Sequence, residues 1–247
     1  MRIKLSLLGL CAMALGLMAF GAVGAQAEGT WLILKEGIVK TGAELPAVLE
    51  LEKDSSVYVL HTEILTLKIL FLCTGIRAVN AKIFGLGAVG KGPGEEKESK
   101  ILFSGCDVDI NGQLFPECTP KDPTDGEGFI VTKFLHALAG LHELKADKVK
   151  DDIITVLPDE GETFATISLP AGCPIGTSVP VIGKLALKDC ENLALTHLVK
   201  HLLEPFTELT ELWTISKTAE HKATLLGSVW AKLGGEHAGL SWGISNL

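Results

Sequence analysis

The sequence predicts a mainly β protein, an antiparallel sandwich or distorted barrel with one short helix. Turn-forming residues interrupt the 247-residue chain at intervals of roughly eight to twelve residues, which is the spacing of strands in an all-β domain. The apolar segments between these turns are short, and glycine or proline marks many of their ends. These two observations favour many short strands over a few long helices.

The predicted strands are the short apolar segments themselves. In chain order they cover 31–34, 47–51, 57–60, 66–73, 77–84, 100–106, 153–157, 164–169, 178–187, 211–215, 223–233 and 239–243. The sequence PDEGET at 158–163 has the turn residues of a hairpin that would join two of them. Alternation of apolar and polar residues is incomplete within single strands, so the pattern predicts the class and not each register.

Two stretches have helical spacing. Residues 193–204 are predicted as the one short helix, because Pro205 ends the stretch and apolar residues share one helical face, namely Leu195, Leu198, Val199, Leu202 and Leu203. Residues 130–145 carry a similar pattern, but Gly140 weakens a helix there. Helix and strand both stay open for this second stretch.

The N-terminus has the organisation of a secretory signal peptide over residues 1–27. Arg2 and Lys4 precede an uncharged apolar run at 5–23, and Ala25-Gln26-Ala27 provides a small-residue cleavage site. An uncleaved membrane anchor is the alternative, since the apolar run approaches the length needed to span a bilayer. The remaining residues, 28–247, are expected to form a single β-rich exported domain, located outside the cell or in the cell envelope, the periplasm included.

The charge of the chain excludes some partners. The formal net charge is −8 at pH 7, and removal of the signal peptide, which holds two basic residues and no acidic one, leaves −10. Nucleic acid and anionic lipid are bound through basic surfaces. We therefore expect no nucleic-acid partner.

The cysteines predict a disulfide framework in an oxidising compartment. Cys11 lies within the signal peptide, which leaves five. A tight turn at Asn111-Gly112 favours a Cys106–Cys118 bridge, and Cys173–Cys190 closes a similar loop. Each would contribute about 3 kcal/mol. Cys73 is then a buried free thiol; a Cys73–Cys173 bridge with Cys190 free is the alternative.

Two sequence patterns match ligand-binding motifs, but the residues next to them do not meet the requirements of those motifs. GLGAVG at 85–90 matches a dinucleotide-binding pattern, but Pro93 lies between two glycines where the helix should begin, so no cofactor is predicted. His197 and His201 are four residues apart, which would place two zinc ligands on one helical face. Leu198 replaces the glutamate of a metalloprotease, so the pair are candidate metal ligands only, and no metal site is predicted.

The candidate catalytic residues also lack the neighbouring structure that their chemistry requires. Asp151, Asp152, Asp159 and Glu160 are clustered carboxylates in predicted turns, where such groups are usually solvated. GLSWG at 239–243 matches the serine hydrolase pattern around Ser241, but only four residues follow it. A nucleophile elbow needs a helix and two catalytic partners after the serine. The sequence therefore predicts a terminal strand and no catalytic residue.

The chain resembles a family of small secreted bacterial proteins of uncharacterised function. The resemblance lies in LFSGC at 102–106 with Cys118 after it, LHELKADKVKDD at 141–152, GETFATISL at 161–169, CPIGTSVPVIGKLALKDC at 173–190, the long segment 196–231 and GEHAGLSW at 235–242. It implies a signal peptide, a β-rich body and paired cysteines. It implies no activity and no catalytic residue.

The functional expectation is an exported, non-enzymatic protein of the envelope or the extracellular space. Its role would be structural or binding, with an envelope or extracellular protein as partner. This expectation rests on the failure of each catalytic motif above. The alternative is a secreted hydrolase, metal-assisted through His197 and His201.

Overall fold

The computed structural model describes residues 27–28, 30–41, 45, 47–64, 66–83, 99–143, 150–188, 193–201, 211–216 and 219–245. Most of the predicted signal peptide, the GLGAVG motif and Cys190 lie outside these residues. The strands are β1 Ala27–Glu28, β2 Thr30–Lys35, β3 Ile38–Thr41, β4 Ala47–Lys53, β5 Tyr58–Ile64, β6 Leu67–Val79, β7 Lys82–Ile83, β8 Lys100–Ile110, β9 Gln113–Leu114, β10 Lys121–Asp122, β11 Gly126–Glu127, β12 Phe129–Val131, β13 Leu135–Glu143, β14 Lys150–Pro158, β15 Thr163–Ser168, β16 Ser178–Lys188, β17 Thr196–His201, β18 Glu211–Ser216, β19 Ala219–Leu226, β20 Ser228–Gly234 and β21 Ser241–Ser245.

The predicted mainly β, antiparallel class is confirmed. The helical turns among the described residues are two single 3-10 turns, at Pro116–Cys118 and Gly235–His237. Nothing in the described part of the chain is a helix long and apolar enough to cross a membrane.

Two antiparallel sheets share one strand and form a sandwich-like body. Sheet I has the order β12-β8-β6-β5-β19-β18-β16, with β15 beside β16. Sheet II runs β1-β13-β14-β16-β17-β20-β4-β7. The first half of β16 pairs with β15 and β18, and its second half pairs with β14 and β17. Strand β16 therefore passes from one sheet to the other, as corner strands do in packed sheets.

Gly183 lies where β16 changes sheets. Its φ is +107°, and a Cβ atom built there would lie 1.8 Å from the carbonyl oxygen of Glu211 in the neighbouring strand. Its amide donates to the carbonyl of Glu162 at 2.9 Å. At this bend the backbone of β16 lies against the backbone at Glu162 and at Glu211. A side chain at position 183 would not fit between them.

A third, small sheet covers part of the core. It has the order β21-β2-β3, so that a strand near the start of the described chain pairs with the last one. Its Trp31, Ile33, Trp242 and Ile244 side chains belong to the main buried cluster. GLSWG thus contributes the expected terminal strand, with Trp242 fully buried.

The predicted helix at 193–204 is wrong. Residues Thr196–His201 form β17, which is hydrogen-bonded to β16 on one side and β20 on the other. Leu195, expected on the buried helical face, is 57% exposed. Pairing with two neighbouring strands outweighs the weak helical preference of a short segment. The described part of the open stretch, 130–143, contains the end of β12 and all of β13, Leu135–Glu143.

The PDEGET connection is not a hairpin. Strand β14 before it pairs with β13 and β16, whereas β15 after it pairs with a different half of β16. The connection therefore crosses from sheet II to sheet I.

The described residues contain two disulfides, and the predicted pairing is wrong. Cys73 and Cys106 face each other in the β6–β8 register and are bonded, with a Cα–Cα distance of 4.0 Å. Cys118 is bonded to Cys173. Cys73 is therefore not a free thiol, and the predicted Cys173–Cys190 bridge and the alternative Cys73–Cys173 bridge are both excluded.

The reason for the different pairing is the short return strand after the Asn111-Gly112 turn. That turn reverses the chain as predicted, with positive φ at both residues, but β9 ends at Leu114. The chain then leaves the sheet through the 3-10 turn that ends at Cys118. Cys118 is thus carried past the position opposite Cys106 and meets Cys173 instead.

Peptide mapping without reduction is expected to recover Cys73 linked to Cys106 and Cys118 linked to Cys173. Cleavage after Glu117 separates Cys106 from Cys118, so a protease specific for glutamate distinguishes the two pairings. Recovery of a Cys106–Cys118 linked peptide from the unreduced protein would show that the register of β6 and β8 is different.

Candidate functional site

A cavity of about 170 Å³ lies between sheets I and II. Side chains two residues apart on a strand point to the same face, and the walls are built from such pairs. Sheet II contributes Leu49 and Leu51, Ile154 and Val156, Leu185 and Leu187, and Val229 and Ala231; sheet I contributes Ile76 and Ala78, and Ile101 and Phe103. Trp31 and Trp242 of the small sheet complete the apolar wall. Concave, mainly apolar sites of this kind bind small molecules in many proteins.

One end of the cavity carries polar side chains, which we call the cationic end: Lys82, Ser99, Lys100 and His136. Backbone pairing brings them together. Lys100 pairs with Val79 at the end of β6, and the carbonyl of Ser99 accepts a 2.8 Å hydrogen bond from the amide of Leu135. The chain segments before β8 and β13 therefore meet at this point.

The cavity wall has an unusual charge for this chain. Its titratable side chains among the described residues are Tyr58 and three that carry or can accept a positive charge, Lys82, Lys100 and His136; no aspartate or glutamate lines it. The whole sequence has 30 acidic and 22 basic residues. The interior site is therefore opposite in sign to the net charge of the molecule.

His136 is oriented by a buried carboxylate. Its Nδ1–H donates to Oδ1 of Asp159 at 2.8 Å, and each side chain is only 9% exposed. The amide of Asp159 donates to the carbonyl of Phe134, which fixes the carboxylate beside the ring. Because Nδ1 is bonded to Asp159, Nε2 is the ring atom left to interact with a molecule in the cavity.

The two serines on the wall are engaged elsewhere. Ser99 Oγ donates to the carbonyl of Asn80 at 3.1 Å, and Ser228 Oγ donates to Oδ2 of Asp54 at 2.5 Å. Each hydroxyl has a single proton to donate. His136 and Asp159 thus form a pair of the kind found in hydrolases, while both wall hydroxyls direct their protons away from it.

Tyr58 forms part of the wall between this cavity and a smaller one of about 40 Å³. Phe103 and Leu225 also line both cavities, and the Tyr58 and Phe103 rings contact edge to face with centroids 6.3 Å apart. Burial raises the pKa of the Tyr58 hydroxyl above its usual 10.0, and it accepts a hydrogen bond from the amide of Asp54 at 3.3 Å. The Tyr58 side chain is therefore uncharged at neutral pH and separates the two cavities.

The structure separates the two candidate zinc ligands. In a strand, residues four apart lie on one face at a separation of about 13 Å, against about 6 Å in a helix. His197 is buried, donates from Nε2 to the carbonyl of Trp242 at 2.7 Å, and packs on its ring. His197 thus links β17 to β21. Within the described ranges no three His, Cys, Asp or Glu residues are close enough to hold a metal ion.

The other residues considered from the sequence are dispersed. Asp151 and Asp152 lie in β14, Glu160 is exposed in the connection that follows, and Asp159 contacts His136 at the cavity. Ser241 lies opposite Leu34 in the small sheet, outside the set of residues that line the cavity.

Sequence reasoning missed the cavity and the His136–Asp159 pair. The two residues are 23 positions apart and meet because Leu135 pairs with Pro158 in the β13–β14 register. The available signal was the alternate apolar spacing in β14 and β16, whose partner strands the sequence does not specify. No protein-family model, curated protein or solved structure matches the chain.

Proposed function

We propose that the mature protein is an exported, non-enzymatic binding protein that holds a small apolar molecule between its two sheets. The observation that carries this proposal is the cavity of about 170 Å³ with its mainly apolar wall. Cores are normally packed with few voids larger than a water molecule. An apolar space of this size is costly to leave unfilled, and a ligand that fills it stabilises the folded state.

Export is supported by the two disulfides, which persist in oxidising compartments. The resemblance to uncharacterised secreted bacterial proteins and the signal peptide predicted at 1–27 agree with this proposal. The acidic net charge disfavours nucleic acid as a partner. An envelope or extracellular protein could deliver or receive the bound molecule.

The hydrolase alternative rests on the His136–Asp159 pair. We favour binding because the wall serines donate their hydroxyl protons to Asn80 and Asp54, and because His197 and His201 are too far apart along β17 to share a metal ion.

A neutral apolar probe tests the proposal. We expect 1-hexanol to bind the mature, disulfide-bonded protein saturably with one site in titration calorimetry, and to raise its melting temperature. Ala137 lines the cavity and is half-buried, so the Ala137→Leu variant fills part of the space. We expect this variant to lose hexanol binding without losing stability.

The matched control is Ala219→Leu, which adds the same side chain at an exposed position away from the cavity. It should bind hexanol as the parent does. Absence of saturable binding in the parent, or equal binding in Ala137→Leu, would rule out the cavity as the binding site.

A further inference from the structure

The volume of the cavity limits the size of the ligand. An engineered protein cavity of about 150 Å³ is large enough to hold benzene. At about 170 Å³ this cavity has room for roughly six to eight non-hydrogen atoms, the bulk of a short alkyl chain or one ring. A long acyl chain does not fit within it.

The charge of the cavity wall determines which charge the polar group of the ligand should carry. Lys82, Lys100 and His136 lie at one end, with no carboxylate among the described lining residues. Asp159 is bonded to Nδ1 of His136 and is not a lining residue. A cation entering this end would meet the like charge of the Lys100 ammonium group, whereas an anion gains a charge-assisted hydrogen bond from it.

Lys100 connects the apolar wall to the surface. Its Nζ lies 4.5 Å from the ring centroid of Phe134, whose side chain is 44% exposed, while Lys100 also lines the cavity. A lysine in this arrangement covers apolar surface with its stem and keeps its ammonium group near water. The cationic end is therefore the end of the cavity nearest solvent at Phe134.

We infer that the ligand is a short amphiphilic anion, a monocarboxylate with a tail of about six carbons, whose carboxylate lies at the cationic end and whose tail fills the apolar cavity. This inference rests on the proposed binding function. The tail is limited in length by Tyr58, Phe103 and Leu225, which separate the main cavity from the smaller one beyond.

The test compares hexanoate with 1-hexanol, which have the same chain length and differ in the charge of the head group. With the mature protein in titration calorimetry, we expect hexanoate to bind at least about tenfold more tightly. The Lys100→Gln variant should reduce this preference to within about threefold, while Lys100→Arg keeps the charge and retains most of it. Lys121→Gln, an exposed lysine of β10 that does not line the cavity, should leave the preference unchanged.

The outcomes separate the two proposals. If hexanol binds and hexanoate binds no better, or if Lys100→Gln leaves the preference intact, the anionic ligand is excluded and the apolar binding function stands. If neither compound binds, the binding function itself fails. A preference that Lys121→Gln removes as fully as Lys100→Gln would show a general effect of protein charge and would also overturn the inference.

Chain length gives an independent readout. Decanoate is expected to bind the parent at least about tenfold more weakly than hexanoate, because its tail exceeds the main cavity. Leu225 is half-buried between the two cavities, so Leu225→Ala joins them and should bring decanoate within about threefold of hexanoate. Equal affinities for both acids in the parent would show that the tail lies outside the cavity.

Discussion

Replacing Trp242 with alanine is expected to lower the free energy of unfolding by about 3–5 kcal/mol. The side chain is fully buried, its ring lies 6.1 Å from that of Trp31, and His197 packs against it with ring centroids 4.4 Å apart. Truncation would enlarge the space already present between the sheets, because Trp242 is part of the cavity wall. Urea denaturation followed by tryptophan fluorescence and circular dichroism measures the change.

Two control variants test whether the loss of stability comes from the buried indole ring of Trp242. Ser241→Ala changes the neighbouring, partly exposed residue of the same strand and is expected to stay within about 0.5 kcal/mol of the parent. Trp242→Phe should cost less than alanine, because it keeps a ring and removes an indole Nε1–H that has no partner among the described residues. Equal stability of Trp242→Ala and the parent would contradict the burial of β21.

Replacing Gly183 with alanine is expected to destabilise the protein by about 3 kcal/mol or more, from backbone strain and overpacking together. The new Cβ would lie 1.8 Å from the carbonyl oxygen of Glu211, so β16 and β18 would have to separate. Because the same residue sits where β16 changes sheets, the damage would reach both sheets. The free energy of unfolding from urea titration is again the measurement.

Gly176→Ala is the matched control for this variant. Gly176 has nearly the same φ, +105° against +107°, but no atom lies within 4 Å of the position that a Cβ would take. Alanine there carries only the backbone strain, about 1–2 kcal/mol. A Gly183→Ala protein no less stable than Gly176→Ala would mean that the close approach to β18 is absent.

The β class was predictable from the sequence because turn residues act locally. Asn111 and Gly112 readily adopt positive φ, as they do in the structure, so the reversal between β8 and β9 follows from two residues. Strand pairing has no such local cause. Cys73 meets Cys106 across 33 residues, and this pairing depends on the register of two strands over their whole length.

The site was less predictable than the fold for the same reason. His136 and Asp159 have ordinary sequence surroundings, and their contact follows from the β13–β14 register alone. His197 and His201 are close in sequence, and a helix would place them on one face about 6 Å apart, but in strand β17 the same spacing separates them by about 13 Å. Leu195 shows the same limit, since helical periodicity over a short window predicted burial for a residue that is exposed.

The small sheet also bears on when the molecule can fold. Thr30 pairs with Ser245, so a chain emerging from the ribosome lacks the partner of β2 until its last described strand has been synthesised. Until then Trp31 has no Trp242 to pack against, and β4 likewise waits for β20. Contacts this distant in sequence form slowly. The small sheet can therefore form only after the last described strand has been synthesised, so the part of the core around Trp31 is completed late in folding.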